Sequence, residues 1–476
     1  LAPEVLQNSF EATPGHPPLT VLDTSDPASI LAVERSLDLA STLFIVSSKS
    51  GTTLETISLY RYFFDKLRAI KGGSTGDNFV AITDPGTPLE SIARENGFRR
   101  CFLAAPDVGG RYSALIHFGL VPGAVIGVDV ARLLDRAEAL LQGCASCVPP
   151  EDNPGAWLGA ILGELTRDGR DKVTLVTSPP LASFGAWAEQ LLAESTGKEG
   201  RGLVPVDGEP LAEPTLYGGD RLFVYLRLDS ADGDDLDEKV RALEGADQPV
   251  VRLRLADAYD LGWEFLRWGM ATAVAGAILG INPLDQPNVQ ESKDNTARLL
   301  GQFEEGGRLP EPEPVARDGG LSLFCAEEMA AGGNGFVALL GAHLRSVRPG
   351  DYLALMAYLS PTAENQHQLQ EIRLRLRDDL KVATTLGYGP RFLHSTGQLH
   401  KGGPGTGVFL QLTADDPEEL SIPGEKYGFS TLKRAQSLGD LQSLQARKRR
   451  VLRIHLGADV AAGLERLREL VAEALG

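Results

Sequence analysis

The strongest constraint on the fold of this 476-residue chain is an alternation of short apolar runs with amphipathic stretches. The run LFIVSS precedes a helical pattern that begins at Thr53, and NFVAITD leads into PGTPLESIAREN. In the second pair we expect Asp84 to cap the helix and Pro85 to occupy its first position. Strands that alternate with helices in this way pair in parallel and carry helices on their faces, so the sequence predicts an α/β fold.

The alternation falls into three parts, which suits a chain of this length. We predict a first unit over residues 1–145, a second over 150–304 and a third over 321–476, all of α/β type. Residues 305–320 are rich in proline, glycine and acidic side chains and are typical of a linker. The first ten residues, LAPEVLQNSF, have a pattern typical of the interior of a helix and do not resemble a signal peptide.

Composition excludes several classes of function. The net charge of −18 argues against nucleic acids and anionic membranes as partners, because binding to either requires basic patches. No window of about 20 residues is apolar throughout, so the sequence predicts no transmembrane helix. The four cysteines include a single CxxC, Cys144 to Cys147, without a second pair or nearby histidines. We therefore expect no zinc site and a reducing, cytoplasmic location.

The stretch FIVSSKSGTTLET places hydroxyl side chains, a lysine and a glycine between a buried strand and a helix. A helix N-terminus exposes unpaired N–H groups at the positive end of its dipole. Gly51 allows close backbone approach to a ligand, and Lys49 adds a positive charge. An ordinary helix cap needs only one serine or threonine, so the number of donors favours a phosphate or a similar anion. The spacing matches neither GxxxxGK[ST] nor GxGxxG.

Two further segments contain candidate catalytic side chains. In DVGGRYSAL, paired glycines precede Arg111, which can reach an oxyanion or can equally be a surface arginine on a turn. In QLLAESTGKEGRG, Gln190 and Glu194 share one helix face before Gly197 ends the helix. Taken alone, the segment favours the simpler explanation that Glu194 is a solvated glutamate at a helix end, with Lys198 as its neighbour.

The segment GINPLDQPNVQESK joins a long apolar helix to another helix. We expect Asp285 or Gln286 to cap the second helix and Pro287 to occupy its first position. Lys293 then lies about two turns into the helix, on its positive half. The alternative is an exposed charge without a function.

A second glycine-rich loop, RFLHSTGQLHKGGPGTG, contains His394 and His400, which are two of only seven histidines in the chain. Histidine is the natural proton carrier near neutral pH, so both are candidates for proton transfer. The alternative is a structural loop with surface histidines.

In this order along the chain, SSKSGTTLET, GGRYS, ESTGK and GINPLDQPNVQESK resemble the motifs of phosphoglucose isomerases (glucose-6-phosphate isomerases). LHSTGQLHKGGP and YGFSTLKRAQSLGDLQSL resemble the third region in the isomerase half of bifunctional transaldolase/glucose-6-phosphate isomerases. The resemblance covers essentially the whole chain. It implies two sugar-isomerase (SIS, flavodoxin-like) domains with three αβα layers and a C-terminal α/β region.

The resemblance also implies a reaction, the reversible isomerisation of glucose 6-phosphate and fructose 6-phosphate through a cis-enediol, in glycolysis and gluconeogenesis, without cofactor or metal. Glu194 corresponds to the base that moves a proton between C1 and C2, Arg111 to the residue that stabilises the enediolate, and Lys293 to a lysine involved in ring opening. Gln190 corresponds to a substrate contact. The phosphate-binding residues that it implies are Ser48, Lys49, Ser50, Thr52 and Thr53.

Two departures from the family pattern lead to further expectations. The family has a glycine-rich loop ahead of a segment like LAPEVL, so a molecule that begins at Leu1 would lack serine donors to the phosphate and have weak or no activity. The ring-opening histidine of the family usually lies between the segments like ESTGK and NPLDQP, where this chain has none. We expect His400 to take that role, with His394 as the alternative.

Other readings stay open at this point. Serine and threonine contacts to a phosphate do not distinguish the C2 epimers, so an isomerase that acts on mannose 6-phosphate or on a mixed set is an alternative. A non-catalytic regulatory module that binds sugar phosphates would need the hydroxyl-rich loop but not Glu194, Arg111 or Lys293. The resemblance further implies a transaldolase domain fused upstream and leaves the oligomeric state open.

Overall fold

The computed structural model describes residues 1–231, 234–326 and 335–476, and the first of its three lobes is built on a short parallel sheet. The strands, paired in this order, are β1 (Phe44–Ser47), β2 (Phe79–Thr83) and β3 (Arg100–Leu103). The helices are α1 (Ala2–Ser9), α2 (Pro27–Ser36), α3 (Leu54–Lys71), α4 (Pro88–Glu95), α5 (His117–Val125) and α6 (Val130–Gly143). β2 is buried along its whole length because it lies between the other two strands and is covered on both faces.

The second lobe has a four-stranded parallel sheet in the order β5-β4-β6-β7. Its strands are β4 (Lys172–Thr177), β5 (Val204–Val206), β6 (Arg221–Leu228) and β7 (Val250–Leu255). Its helices are α7 (Pro154–Arg167), α8 (Ala182–Thr196), α9 (Asp234–Gly245), α10 (Leu261–Leu279) and α11 (Val289–Gly306). Phe184 and Trp187 on α8 pack against Phe265 and Trp268 on α10, which fixes α8 in the core.

The third lobe has a six-stranded sheet in the order β11-β10-β12-β13-β9-β8, in which β9 and β8 form an antiparallel edge on four parallel strands. Its strands are β8 (Ala316–Asp318), β9 (Leu321–Phe324), β10 (Tyr352–Tyr358), β11 (Ala383–Tyr388), β12 (Gly407–Thr413) and β13 (Arg450–His455). Its helices are α12 (Phe336–Arg345), α13 (Ala363–Leu380), α14 (Thr396–Gly402), α15 (Phe429–Ala446) and α16 (Val460–Leu475).

The helix α15 contains most of the motif YGFSTLKRAQSLGDLQSL and is buried around almost its whole circumference. It packs against α11 of the second lobe, where a Cβ on Gly439 would lie 2.9 Å from Thr296 Oγ1. Ser443 Oγ and Ser292 Oγ, on the same two helices, are 3.1 Å apart. The third lobe is therefore joined closely to the lobe that contains Glu194.

The predicted α/β fold is confirmed. The first two sheets lie within the predicted units 1–145 and 150–304, and every strand of the third sheet except β8 lies within 321–476; the unit boundaries themselves stay a prediction. Residues 305–320, predicted to form a linker, contain the strand β8, which pairs with β9. Within the described ranges, no helix is both long enough and apolar enough to cross a lipid bilayer.

Both helix starts that were predicted from a residue beside a proline are wrong. The helix α4 begins three residues after Pro85, and its cap is Thr87, whose Oγ1 accepts a hydrogen bond from Glu90 N. The helix α11 begins at Val289, after the predicted caps Asp285 and Gln286. In each case the aspartate pairs with a lysine instead of capping the helix: Asp84 with Lys49 and Asp285 with Lys198.

Candidate active site

The hydroxyl-rich loop, residues 48–53, joins β1 to α3 at the carboxyl end of the first sheet. Its side chains face one another in pairs: Ser48 Oγ lies 2.9 Å from Thr53 Oγ1, and Ser50 Oγ lies 3.0 Å from Thr52 Oγ1. Thr53 is the N-cap residue of α3, but its side chain accepts no capping hydrogen bond. The loop therefore groups hydroxyl side chains at the start of α3, where the first N–H groups of the helix lie; that this group binds an anion stays a prediction.

The glycine of this loop is required by its surroundings. Gly51 has a φ of 66°, which disfavours any side chain. A Cβ at this position would lie 2.8 Å from the backbone nitrogen of Leu89 and 2.9 Å from Thr87 Cβ, both at the start of α4. The loop is thus pressed against α4, and only glycine allows that approach.

The lysine of the loop already has partners in the protein. Lys49 Nζ lies 2.5 Å from Asp84 Oδ2 and donates to the carbonyl oxygen of Pro106 over 3.0 Å. Its side chain is 28% exposed, so the ammonium still borders solvent. A role for Lys49 as a phosphate ligand stays a prediction, and it requires the charge to be shared with Asp84.

A buried arginine from the first lobe faces the predicted base of the second. Arg111 lies in a 3₁₀ turn, Gly110–Leu115, just beyond β3, and its side chain is only 3% exposed. Its Nη1 lies 3.1 Å from Glu194 Oε1 and donates to Gln286 Oε1 over 2.9 Å. The carboxylate is itself largely enclosed, with 13% of its side chain exposed.

The remaining donors of the guanidinium fix its orientation. Nη2 donates to the carbonyl oxygens of Pro283 and Asp285, over 2.7 and 3.1 Å. Nε donates to Ser195 Oγ over 2.7 Å. Five hydrogen bonds thus hold Arg111 in one place, which is the arrangement expected of a preorganised cation.

The other carboxylate oxygen of Glu194 is contacted by the residue one turn earlier on α8. Gln190 Nε2 donates to Glu194 Oε2 over 3.3 Å. The predicted helix end is confirmed, since α8 ends at Thr196 and Gly197 follows. The structure therefore brings together Gln190, Glu194 and Arg111, three of the residues that the sequence singled out.

The segment that accepts hydrogen bonds from Arg111 is itself anchored by a buried lysine. Lys198 Nζ donates to the carbonyl oxygen of Asn282 and to Asp285 Oδ1, each over 2.7 Å. Burial lowers the pKa of Lys198, although Asp285 acts in the opposite direction. Sequence reasoning did not place Lys198 or Ser195 in the site, and it expected Asp285 and Gln286 only as helix caps, although all four residues lie inside the quoted motifs.

Lys293 is not part of this hydrogen-bonded group. It lies on α11, one turn beyond Val289, and its side chain is exposed. Ser292, the residue before it, faces α15 and is fully buried. The predicted role of Lys293 in ring opening stays a prediction.

The two candidate histidines lie in different surroundings. His400 is enclosed by the rings of Phe392 and Phe409, and burial, with Lys401 and Arg449 nearby, lowers its pKa to about 3. His394 is half-buried, and its Nδ1 lies 2.9 Å from Ser395 Oγ. The preferred candidate, His400, is thus placed where a proton is hard to hold near neutral pH, whereas His394 is not enclosed in this way.

A cavity of about 180 Å³ separates α8 from the third lobe. Its wall includes Gln190, His400 and two carboxyl groups, those of Glu189 and Asp207. Burial and the neighbouring Asp207 raise the pKa of Glu189 to about 8, and burial raises that of Asp207 to about 6. Gln190 is common to this cavity and to the Glu194 carboxylate, so the third lobe reaches the side of α8 next to the candidate base.

The hydroxyl-rich loop and the carboxylate centre are connected by a short stretch of chain. Lys49 donates to the carbonyl of Pro106, and Arg111 follows five residues later. An anion-binding helix start, a carboxylate and a fixed cation are what proton abstraction next to a carbonyl in a phosphorylated substrate requires. The described residues contain no group of three or more histidine, cysteine, aspartate or glutamate side chains arranged to hold a metal ion.

Comparisons of the sequence point to one family. The sequence model of the family Phosphoglucose isomerase matches residues 1–210. A protein of Methanococcus maripaludis named "Probable glucose-6-phosphate isomerase" is 30% identical over 319 residues, covering 60% of this chain and 72% of that protein. A glucose-6-phosphate isomerase of Rubrobacter xylanophilus is 29% identical over 336 residues, covering 60% of this chain and 75% of that protein.

Two solved structures share the fold. A hypothetical protein of Thermus thermophilus has a TM-score of 0.55 and 27% identity, covering 62% of this chain and 80% of its own. A glucose-6-phosphate isomerase of Chlamydia trachomatis also has a TM-score of 0.55, with 22% identity, covering 64% of this chain and 68% of its own. At that identity, the second likeness concerns the fold alone.

Proposed function

The chain belongs to the phosphoglucose isomerase family, and we propose that it interconverts glucose 6-phosphate and fructose 6-phosphate. It is an aldose–ketose isomerase in this proposal, and its substrate is a hexose phosphate. The observation that carries the assignment to particular residues is the contact of 3.1 Å between the buried Arg111 and Glu194.

The chemistry follows from that pair. In the open-chain aldose, loss of the C2 proton gives an enediolate whose negative charge is shared with the C1 oxygen. Glu194 takes the proton from C2 and returns it to C1, while the hydroxyl proton of O2 is lost and O1 gains one. The aldehyde becomes a hydroxymethyl group and C2 becomes a ketone, so the atoms balance without a redox partner.

Arg111 supplies the stabilisation that makes this proton removable by a carboxylate. The guanidinium is permanently charged and is held by five hydrogen bonds, so it need not reorganise as charge develops on the substrate. Gln190, on the other carboxylate oxygen, keeps Glu194 oriented. Each of these roles is part of the proposal.

The phosphate group binds at the hydroxyl-rich loop in this proposal. Ser48, Ser50, Thr52 and Thr53 supply hydroxyl groups at the start of α3, and Lys49 supplies charge beside them. Binding of the phosphate holds the far end of the substrate and so orients the reacting carbons.

Ring opening needs a group that gives or takes a proton at the ring oxygen. We propose His394 for this step in preference to His400, because His400 is enclosed by Phe392 and Phe409. Lys293, exposed on α11, is the second candidate for assisting this step.

A coupled assay for glucose 6-phosphate formed from fructose 6-phosphate tests the function. In a protein that includes the glycine-rich loop expected ahead of Leu1, we expect turnover and a fall in kcat of about 10³-fold in Glu194→Gln. A molecule that begins at Leu1 is expected to have weak or no activity, so it does not serve for this test. Glu199→Gln, an exposed glutamate just after the same motif, is the matched control and should keep kcat within about twofold. Binding of fructose 6-phosphate without turnover would overturn the enzymatic proposal in favour of a regulatory module.

Three finer points belong to the same proposal. Assaying mannose 6-phosphate in parallel distinguishes a strict isomerase from one of mixed specificity. The cysteines at the described positions are free, which agrees with a reducing, cytoplasmic location. A transaldolase domain upstream of Leu1 stays a prediction from the resemblance, which the sequence upstream tests, and a solution mass tests the oligomeric state.

A further inference from the structure

We propose that the third lobe positions the two halves of the sugar-phosphate site through two buried glutamines, Gln436 on α15 and Gln398 on α14. This inference rests on the proposed function and deepens it. The two relatives described above each cover 60% of the chain, so their names do not account for all of it. The contacts of the third lobe indicate what the additional part contributes.

The first glutamine contacts the phosphate-binding half. Gln436 is 1% exposed, and its Nε2 donates to Glu55 Oε1 over 2.6 Å. Its Oε1 accepts a hydrogen bond of 2.6 Å from Ser25 Oγ. Glu55 lies in the first turn of α3, two residues after Thr53 of the hydroxyl-rich loop. A side chain of the third lobe thus fixes the helix start at which the phosphate binds.

A neighbouring ion pair holds the same contact surface together. Lys433, one turn before Gln436, places Nζ 2.9 Å from Asp26 Oδ1, the N-cap residue of α2. Asp26 Oδ2 accepts a hydrogen bond of 2.8 Å from Ser360 Oγ, just beyond β10. All these side chains are buried or half-buried, so their hydrogen bonds fix the position of the first lobe against the third.

The second glutamine contacts the catalytic half. Gln398 is 0% exposed, and its Nε2 donates to the carbonyl oxygen of Gly197 over 2.8 Å. Its Oε1 accepts a hydrogen bond of 2.9 Å from the backbone nitrogen of Asn288. Gly197 ends α8, which bears Glu194, and Asn288 precedes α11, which bears Lys293. One amide side chain therefore links the ends of the two helices.

Close backbone contacts at glycines make this arrangement specific. A Cβ on Gly197 would lie 2.3 Å from Leu399 Cα, and one on Gly402 would lie 2.7 Å from the carbonyl oxygen of Gly197. Gly200 N donates to the carbonyl oxygen of Gly402 over 3.0 Å. The glycines of ESTGKEG and STGQLHKGG are thus explained by a contact between the two motifs.

The proposal separates two kinds of kinetic effect. Disturbing Gln436 displaces the start of α3 and should weaken phosphate binding, which raises KM. Disturbing Gln398 displaces the end of α8 and should misplace Glu194, which lowers kcat. A purely structural role for the third lobe predicts no such division.

The role of Gln436 is tested most sharply by exchanging the glutamate and the glutamine between positions 55 and 436. Gln436→Glu places two carboxylates face to face, and we expect KM for fructose 6-phosphate to rise at least about fivefold with kcat within about twofold. The double variant Glu55→Gln with Gln436→Glu restores the hydrogen bond between positions 55 and 436 with donor and acceptor exchanged, while Ser25 Oγ still donates to residue 436. KM should therefore return to within about twofold of wild type. An unchanged KM in the single variant, or no recovery in the double variant, overturns the proposal for Gln436.

The second contact has a matched control in the same lobe. Gln398→Ala should lower kcat about tenfold with KM within about threefold. Gln411 is also 0% exposed, and its Nε2 donates to the carbonyl oxygen of Ser437 inside the third lobe. Gln411→Ala should leave kcat and KM within about twofold at a temperature well below unfolding. Equal effects of Gln398→Ala and Gln411→Ala would overturn the proposal.

Hydrogen exchange without substrate separates failure of this proposal from failure of the proposed function. We expect faster exchange at residues 54–57 in Gln436→Glu and at residues 197–200 in Gln398→Ala, with neither change in Gln411→Ala. If this pattern is present but the wild-type protein does not turn over fructose 6-phosphate, the function is wrong and the positioning role stands. If turnover is present but the pattern is not, the positioning role is wrong.

Discussion

Arg111 and Glu194 are 83 positions apart in the sequence, yet Arg111 Nη1 lies 3.1 Å from Glu194 Oε1 in a largely buried contact. The arginine comes from the loop beyond β3 of the first lobe and the glutamate from α8 of the second. Taken alone, Arg111 is a side chain on a turn and Glu194 is a side chain near the end of a helix. Together they place a fixed cation beside a carboxylate, so the reaction depends on how the two lobes meet.

We predict that Arg111→Lys loses most of the activity. A lysine ammonium has three N–H donors on a flexible stem and cannot reproduce the five hydrogen bonds of the guanidinium. We expect kcat/KM for fructose 6-phosphate to fall about 10²-fold. Arg132→Lys, at an exposed ion pair with Asp257, is the control and should have little effect. Activity of Arg111→Lys within twofold of wild type would contradict the role given to Arg111.

We predict that Gly51→Ala weakens phosphate binding. The methyl group would meet the start of α4 at 2.8 Å, and the φ of 66° adds strain of about 1 kcal/mol. We expect KM for fructose 6-phosphate to rise about tenfold, measured by initial rates. Gly86→Ala is the matched control, because Gly86 also has a positive φ, of 77°, but a Cβ there meets nothing within 4 Å. A normal KM in Gly51→Ala would show that the loop does not hold the phosphate.

The fold class was predictable from the sequence because strand and helix periodicities are local, but two helix starts were not. Asp84 and Asp285 each lie beside or near a proline, as a cap would, but both pair with a lysine instead. Asp84 binds Lys49, 35 positions away, and Asp285 binds Lys198, 87 positions away. A local sequence pattern identifies only the nearby backbone as a hydrogen-bond partner for each aspartate. It cannot show that a lysine far along the chain pairs with the same carboxylate.

The sequence indicated which residues form the candidate site, but it indicated less well what surrounds each of them. Gln190, Glu194 and Arg111 meet as the motifs imply, because each is positioned by a helix or turn that the sequence specifies. His400 was expected to transfer a proton from within a glycine-rich loop. Gly397 instead allows that loop to fold inward, since a Cβ there would lie 1.7 Å from the carbonyl oxygen of Phe392. Glycine-rich sequence does not by itself distinguish a mobile loop from a closely packed one.

We predict that Glu189→Gln stabilises the protein at alkaline pH. Burial and Asp207 raise the pKa of Glu189 to about 8, so the native carboxyl keeps a proton that the unfolded chain releases above its ordinary value of 4.5. Stability therefore falls as pH rises from about 4.5 to about 8. Glutamine does not titrate, so Glu189→Gln should gain on the order of 2 kcal/mol over wild type at pH 8 and nothing near pH 4.5.

Urea unfolding at several pH values measures this difference. Glu199→Gln, an exposed glutamate on the loop after the same helix, should show no such dependence on pH and serves as the control. An equal difference in stability between Glu189→Gln and wild type at every pH would mean that the carboxyl at position 189 does not titrate as described.

We predict that Asp26→Asn loosens the contact between the first and third lobes at neutral pH. Burial alone would raise the pKa of Asp26, but Lys433 and hydrogen bonds from Ser29 and Ser360 outweigh it, so the pKa is lowered from 3.8. The stability from this group is present above the unfolded pKa and is lost as pH falls through the lower folded value.

Asparagine still caps α2, but it leaves the buried Lys433 with Asp416 as its remaining acidic partner. We expect a loss of about 3 kcal/mol at pH 7 that shrinks below about pH 4, by urea unfolding. Asp129→Asn, at the exposed cap of α6, should cost under about 0.5 kcal/mol, and an equal loss in both variants would rule out the ion pair as the cause.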